Sequence, residues 1–338
     1  MAHGSRTARW RKRITILLAI LAVLMVTLWI YGEWKTNQAE KEYPPVGHFV
    51  TVDGVPMHYV RQGSGQTVVM IHGSDGLLQD FTLTIFDSIA SFADAIAFDR
   101  PGHGYSEHPS VKPLTLELNA QLIHDAVAVL GVSKPVIVGH SYGGAVALQY
   151  AVNYPQELAG LVLLSPAVYA EGLPIGKTGA TFLMSIPNAP VLGPILTHCL
   201  VAPMFGFGVE TGINPSFAPN PVTPGYAAIM KALMPRPNQF SAWADESAHF
   251  ASSLDELDAK LSGIEAPAVI IVGAKDQIAP YEQEGGKLAK KLPNCELLVV
   301  PEAGHMVHHA EPNLVVVNIR QMVESVPHSD RNQNRLNH

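Results

Sequence analysis

Residues 135–144 read PVIVGHSYGG, and this run decides the fold. PVIVG is apolar throughout, as a strand covered on both faces has to be. Gly139-His140-Ser141-Tyr142-Gly143 then matches G-x-S-x-G, Gly144 follows, and SYGGAVALQYAVNY (141–154) has helical periodicity. A serine placed between a buried strand and a helix sits on a sharp turn, where flanking glycines let neighbouring backbone approach without a Cβ clash. The five-residue pattern alone is a weak signal. Between a strand and a helix it marks Ser141 as a candidate nucleophile, against the plainer reading of a tight Gly-rich turn with an incidental serine.

A serine hydroxyl needs a base, and the base needs an orienting carboxylate. In the chain order that goes with this turn, the acid follows a late strand and the histidine comes last. VIIVGAKDQIAP (269–280) puts Asp276 three residues beyond a strand, and VVPEAGHMVHHAEP (299–312) puts His305 in the loop after the last strand. Ser141, Asp276 and His305 are therefore the expected catalytic residues. The other acid position, after the strand ending near Leu164, has only Glu171 nearby. Backbone N–H donors are also required for an oxyanion. Tyr142, the residue after the nucleophile, supplies one. Ser74 in the loop His72-Gly73-Ser74-Asp75-Gly76 supplies the other, with Asp75 as runner-up, and His72 reads as a strut beneath that loop.

Outward from this centre, strands alternate with helices. HFVTV (48–52) and VPMHYV (55–60) flank Asp53-Gly54, a hairpin turn signal. TVVMIH (67–72), DAIAF (94–98), LAGLVLLS (158–165), APAVIIVG (266–273) and CELLVVP (295–301) read as further strands. Helical patterns fall at 77–92, 114–132, 281–292 and 312–325. Such alternation predicts an α/β fold with a mostly parallel eight-stranded sheet covered by helices on both faces. Residues 167–250 break the rhythm, with eleven of the 26 prolines and only seven charges. They read as an inserted helical lid. Met184, Met204, Phe205, Phe207, Met230, Met234 and Trp243 are candidates to line an apolar acyl pocket there, or to form the lid's own core.

Charged residues are 15% of the chain, against about 25% in an ordinary soluble domain. Part of the deficit lies in Ile14–Tyr31, ITILLAILAVLMVTLWIY, which carries no charge over 18 residues and would span about 27 Å as a helix. Trp10, Trp29, Tyr31 and Trp34 lie near its ends, where interfacial aromatics are expected. A cleaved signal peptide would have a shorter apolar stretch and a small-x-small site, and neither is evident. Five basic residues and no acid precede the span, so the positive-inside rule keeps the N-terminus cytoplasmic and the body extracytoplasmic, periplasmic in a bacterium. Without those five charges the net of −7 becomes −12, which argues against a nucleic-acid partner. The expected organisation is a basic segment and transmembrane anchor (1–31, helix 14–31), a linker (32–47), a catalytic core (48–166 and 251–326), the lid (167–250) and a polar tail (327–338). Cys199 and Cys295 have no evident reason to pair. His305, His308 and His309 lack a partner cluster for a metal, and no cofactor or metal is implied.

HGSDG (72–76), DRPGHGYS (99–106), GHSYGG (139–144), GAKDQIAP (273–280) and GHMVHHAEP (304–312) together resemble the α/β-hydrolase superfamily, in its branch with a lid between strands six and seven. The resemblance covers about 280 residues. DRPGHGYS resembles a loop of epoxide hydrolases, haloperoxidase-like esterases and carbon–carbon bond hydrolases, which implies that Asp99 and Arg100 brace loops near the site. Members that open epoxides or remove halide use an aspartate nucleophile, and Ser141 occupies that position here. The expectation is therefore a membrane-anchored serine hydrolase acting on an apolar ester or similar acyl substrate. A carbon–carbon, amide or lactone hydrolase with the same triad is the first alternative. A non-catalytic receptor or scaffold on the same fold is the second.

Overall fold

Val68 and Met70 pack into one hydrophobic core, and Val69 and Ile71 into another. The same division runs along the neighbouring strands: Val136 and Val138 against Ile137, Val162 and Leu164 against Leu161 and Leu163. Side chains of a strand alternate between faces, so an unbroken apolar strand feeds two cores at once. The computed structural model describes residues 3–110, 113–169, 192–201 and 209–327. Its eight strands are β1 (His48–Val52), β2 (Val55–Gly63), β3 (Thr67–Ile71), β4 (Asp94–Phe98), β5 (Val136–His140), β6 (Gly160–Leu164), β7 (Ala268–Gly273) and β8 (Cys295–Val300). They form one sheet in the order β1-β2-β4-β3-β5-β6-β7-β8. β1 and β2 pair antiparallel, as do β2 and β4, and every pairing from β4 to β8 is parallel. Asp53 and Gly54 close the first hairpin with φ of 49° and 76°, the left-handed pair that a two-residue turn demands.

The helices are α1 (His3–Glu42), α2 (Gln79–Thr82), α3 (Phe86–Ala90), α4 (Leu116–Val129), α5 (Tyr142–Asn153), α6 (Leu192–Leu196), α7 (Val209–Phe217), α8 (Tyr226–Leu233), α9 (Pro237–Asp258), α10 (Gly285–Ala289), α11 (Val307–Ala310) and α12 (Pro312–Ser325). α6 runs into a π-helical turn at Thr197–Val201. α4, α5 and the second half of α9 cover one face of the sheet; α2, α3 and α12 cover the other. The strand order places the switch point between β3 and β5, because the chain leaves β3 for a neighbour on one side and later returns on the other. Ligands of open parallel sheets bind at that point, beyond the carboxyl ends of the strands.

Two boundaries differ from the sequence reading. The N-terminal helix does not stop at Tyr31 but continues to Glu42. The polarity of residues 32–42 suggested a stalk, yet the stretch holds Glu, Lys, Gln and Ala and meets no proline before Pro44. Positions with reduced exposure recur every three or four residues, at Met25, Trp29, Gly32, Thr36 and Ala39, so one stripe of α1 faces the body. The 18-residue apolar window of α1 has none of its residues buried, and the helix is long and apolar enough to cross a membrane. The second boundary is at residue 250. α9 passes straight through it, and its Phe250, Leu254 and Leu257 belong to the sheet's core while its first turns belong to the region above the sheet. Pro237 opens that helix and no proline or glycine interrupts the rest, so nothing local can end it at the expected place.

Candidate active site

Ser141 joins β5 to α5 with φ 52° and ψ −120°. A non-glycine residue in that region carries about 1–3 kcal/mol of strain and persists only where its surroundings impose it. They do so here from three directions. The Ser141 amide donates to the Leu164 carbonyl at 3.0 Å, and its carbonyl accepts from the amides of Gly144 (2.9 Å) and Ala167 (3.1 Å). A Cβ on Gly143 would come within 2.2 Å of the Ile71 carbonyl oxygen, and one on Gly139 within 2.3 Å of the Gly143 carbonyl oxygen. Any larger residue at either position would push the turn off the end of the sheet.

Asp276 and His305 come from the loops after β7 and β8. Asp276 Oδ1 accepts from the amides of Ile278 (2.8 Å) and Ala279 (2.9 Å), which fixes the carboxylate plane. Its Oδ2 accepts from His305 Nδ1 at 2.7 Å, which leaves Nε2 as the free ring nitrogen of His305. Burial pulls the His305 pKa down, but the charge and hydrogen bond of Asp276, with Asp75 and Asp80 behind them, outweigh it and hold the imidazole above its ordinary value. Ser141 and His305 line the same enclosed cavity, of about 40 Å³. Its roof comes from the region above the sheet, including Ile213 and Phe217 of α7 and Met230 of α8. That volume holds a few waters, whereas pockets that take small-molecule ligands run to about 300–1,000 Å³. A larger cavity of about 450 Å³ lies between α1, residues 104–107 and the start of α9, and contains neither Ser141 nor His305.

The loop 72–76 passes beside Ser141: a Cβ on Gly73 would be 3.2 Å from that of the serine. Arg100 organises this loop. Its backbone amide donates to His72 Nε2 at 2.9 Å, its Nε to the His72 carbonyl at 3.1 Å, and one Nη to the carbonyls of Gly73 (2.9 Å) and Ser74 (3.1 Å). The C=O and N–H of a trans peptide point opposite ways, so capturing the Gly73 carbonyl turns the Ser74 N–H away from the guanidinium. His72 Nδ1 donates to the Gly73 carbonyl at 2.8 Å. Burial, with Arg100 close by, drives the His72 pKa well down, so the ring stays neutral and serves as a strut. Asp99 holds the adjoining segments, accepting from the amides of Leu78 (2.9 Å) and Tyr105 (3.0 Å) and from His58 Nδ1 (2.7 Å). Tyr142, the first residue of α5, stacks its ring on Phe250 and under the Arg100 guanidinium.

Several site residues carried no sequence signal. Glu246 on α9 is buried, pairs with Arg100 and accepts from Asn119 Nδ2 at 3.1 Å. Asp80 and Tyr226 face the cavity. These contacts join residues more than a hundred positions apart, and no local pattern marks them. His140, between Gly139 and Ser141, contacts the His305 carbonyl through Nε2 at 3.2 Å and is held neutral by burial. Of the lid residues named from sequence, Met184, Met204, Phe205 and Phe207 lie outside the described residues. Met230 lines the cavity, Met234 accepts from Gln239, and Trp243 packs edge-on to Phe240. His308 packs on Phe81 and His140, and His309 Nδ1 lies 2.7 Å from Thr223 Oγ1. Among the described residues no group of three or more His, Cys, Asp or Glu is placed to hold a metal ion. Both cysteines are free thiols, and Cys199 donates to the Met25 carbonyl of α1 at 3.2 Å.

Comparisons with known proteins bear on the same elements. A family model described as "Alpha/beta hydrolase family" matches residues 68–319. The dihydrolipoyllysine-residue acetyltransferase component of the acetoin cleaving system of Cupriavidus necator is 34% identical over 143 residues, which are 42% of this chain and 38% of that protein. The 2-hydroxymuconate semialdehyde hydrolase of Pseudomonas putida is 27% identical over 288 residues, covering 81% of this chain and 93% of that protein. Among solved structures, an esterase from Exiguobacterium antarcticum superposes with a TM-score of 0.65 at 22% identity, covering 83% of this chain and all of that one, a likeness of fold.

Proposed function

The chain belongs to the alpha/beta hydrolase family, and from that premise we propose that it is a membrane-anchored serine hydrolase cleaving an ester or related acyl bond. The observation that carries this reading is the 2.7 Å Asp276–His305 pair opening onto the same cavity as a serine in a strained strand-to-helix turn. His305 Nε2 takes the proton of Ser141 as Oγ attacks the acyl carbon. Asp276 fixes the tautomer and stabilises the imidazolium. The backbone N–H groups of Tyr142 and Ser74 receive the oxyanion, the second aimed by Arg100. The tetrahedral intermediate collapses, His305 returns the proton to the leaving alcohol, and water activated by His305 then releases the acid from the acyl-serine.

Anchoring in a bilayer through residues 14–31 is supported by apolar surface left bare by the described residues, such as Leu17 and Val23 at 65% and 67% exposed, while Met25 and Trp29 at its end meet the body. The basic N-terminus supports an extracytoplasmic body. The roof of the site, in turn, packs on the anchor: His198 stacks on Trp29 at 4.1 Å, and Arg236 pairs with Glu40 at 3.2 Å. A closed cavity beneath a roof attached to the anchor suits an acyl substrate that reaches the site from the lipid phase.

The test is Ser141→Ala in the full-length protein. The variant keeps the fold, loses turnover of p-nitrophenyl esters and loses labelling by a fluorophosphonate. Turnover retained by that variant would remove Ser141 as nucleophile. A carbon–carbon bond hydrolase is the second reading, favoured by the Pseudomonas putida relative. Turnover of vinylogous diketones in preference to esters would select it.

A further inference from the structure

The cavity holds two carboxylates that the triad does not use. Asp75 and Asp80 both line it, and no lysine or arginine is among its described lining residues. Asp80, at the start of α2, is 1% exposed. Its carboxyl is fixed from both sides. The Tyr226 hydroxyl, carried by α8 in the roof, donates to Oδ1 at 3.1 Å. On the other side a Cβ at Gly76 would come within 2.4 Å of Oδ2, so the carboxyl fills the room that the missing side chain leaves. Among the described residues the lining from the roof is mostly apolar, with Ile213, Phe217 and Met230 beside Ser216. Burial raises the Asp80 pKa to about 7, against the hydrogen bond from Tyr226. A desolvated carboxyl among apolar groups gains most from a polar partner that enters with the substrate.

We propose that Asp80, steadied by Tyr226, is the specificity-determining residue of this cavity: it receives a hydrogen-bond donor carried by the substrate close to the scissile bond, a hydroxyl, an amide N–H or an ammonium. With Asp75 at its side it turns away substrates that carry a carboxylate there, since like charges across a closed site cannot be paired. The inference rests on the triad reading and adds the class of substrate: an acyl compound with a neutral or cationic donor group, not an acid.

The test uses the full-length protein in detergent and four butyrate esters, whose alcohols are 3-methylbutanol, ethylene glycol, protonated 2-(dimethylamino)ethanol and glycolate, together with the mirrored series carrying the same groups on the acyl side. In at least one series the wild type has a kcat/KM about tenfold or more higher for the hydroxyl or ammonium ester than for the carboxylate ester. The hydroxyl and ammonium arms identify which donor is read. Asp80→Asn removes any advantage of ammonium over its isostere 3-methylbutyl and shrinks the penalty on the carboxylate ester. Tyr226→Phe moves the same ratios in the same direction by less. Ratios that are equal in the wild type and Asp80→Asn overturn the inference, as does a wild type that takes carboxylate esters as readily as the isostere in both series. Where Asp80→Asn does not fold, unchanged ratios in Tyr226→Phe overturn it. Ser141→Ala separates the two levels. If it abolishes all the rates while the Asp80 ratios stay fixed, the triad stands and only the specificity role falls. If it retains them, both fall. Should no ester be turned over, the same ratios are read from Ser141 labelling by phosphonates bearing these groups, and absence of labelling removes both.

Discussion

The end of the sheet, which lines the cavity of Ser141 and His305, and the seam between α1 and the roof, which lines the larger cavity, are built on different principles. At the sheet, backbone fixes everything. Ser141 is held by amides and carbonyls of β6 and α5, and the loop opposite is held by one arginine reading three carbonyls. At the seam, side chains do the holding: a histidine stacked on Trp29 and an Arg236–Glu40 pair whose glutamate is half exposed. Strand ends and a helix start tolerate little displacement, whereas a half-exposed ion pair contributes about 0–1 kcal/mol and can open at low cost.

That contrast can be broken first at the nucleophile. Ser141→Ala is expected to lower kcat by about 10⁶ while leaving the turn as strained as before, since alanine keeps the Cβ, so the melting temperature stays level. A large fall in thermal stability would mean the turn depends on the serine itself. Asp276→Asn follows with a loss of about 10⁴ in kcat, since the asparagine favours the wrong tautomer of His305; a loss under tenfold would put the orienting role elsewhere.

Glu246→Leu tests whether Arg100 is the keystone of the rigid side. Removing one partner of a buried pair costs about 3–5 kcal/mol, and urea denaturation reads it directly. Gly32→Leu tests the compliant side. A Cβ there would stand 2.9 Å from the His198 carbonyl oxygen, so a larger side chain wedges α1 off the π-helical turn. Hydrogen exchange is expected to accelerate across residues 197–201, with kcat/KM for a short soluble ester within about twofold of wild type, and about 1–3 kcal/mol of stability lost. Equal protection in both proteins would show that the seam does not hold the roof.

The smallest effect expected is on pH. His305 acts as base only when neutral, and its pKa stands above the ordinary value through Asp276, Asp75 and Asp80. The acid limb of kcat/KM in the free enzyme therefore lies above about 6.5, and Asp75→Asn moves it down. The linked stability has the opposite sense. A raised folded pKa stabilises the fold fully below about 6.5, and this contribution is lost as pH rises through the folded value.

Much of the sheet and the placement of Ser141, Asp276 and His305 was legible in the sequence because both follow from short-range rules. PVIVG must be a doubly covered strand, a serine flanked by glycines must turn there, and Asp276 and His305 lie just past strand ends. The roof was not legible in the same way. Its eleven prolines mark where regular pattern fails, not where each segment packs. The 32–42 stretch misled because polar composition and helical continuity are compatible, and only contact with the roof shows which stripe is buried.

By itself, then, the sequence determined the alternation of elements, the strand-to-helix turn at Ser141 and the apolar N-terminal span, all of which depend on neighbours within a few residues. Tertiary structure alone decided that Arg100 reads the 72–74 carbonyls and meets Glu246, that α1 docks on the roof, and that Asp80 faces the cavity with Tyr226 upon it. Those are contacts across 26 to 196 positions of chain, where the partner is chosen by which surfaces the sheet brings together rather than by any local preference.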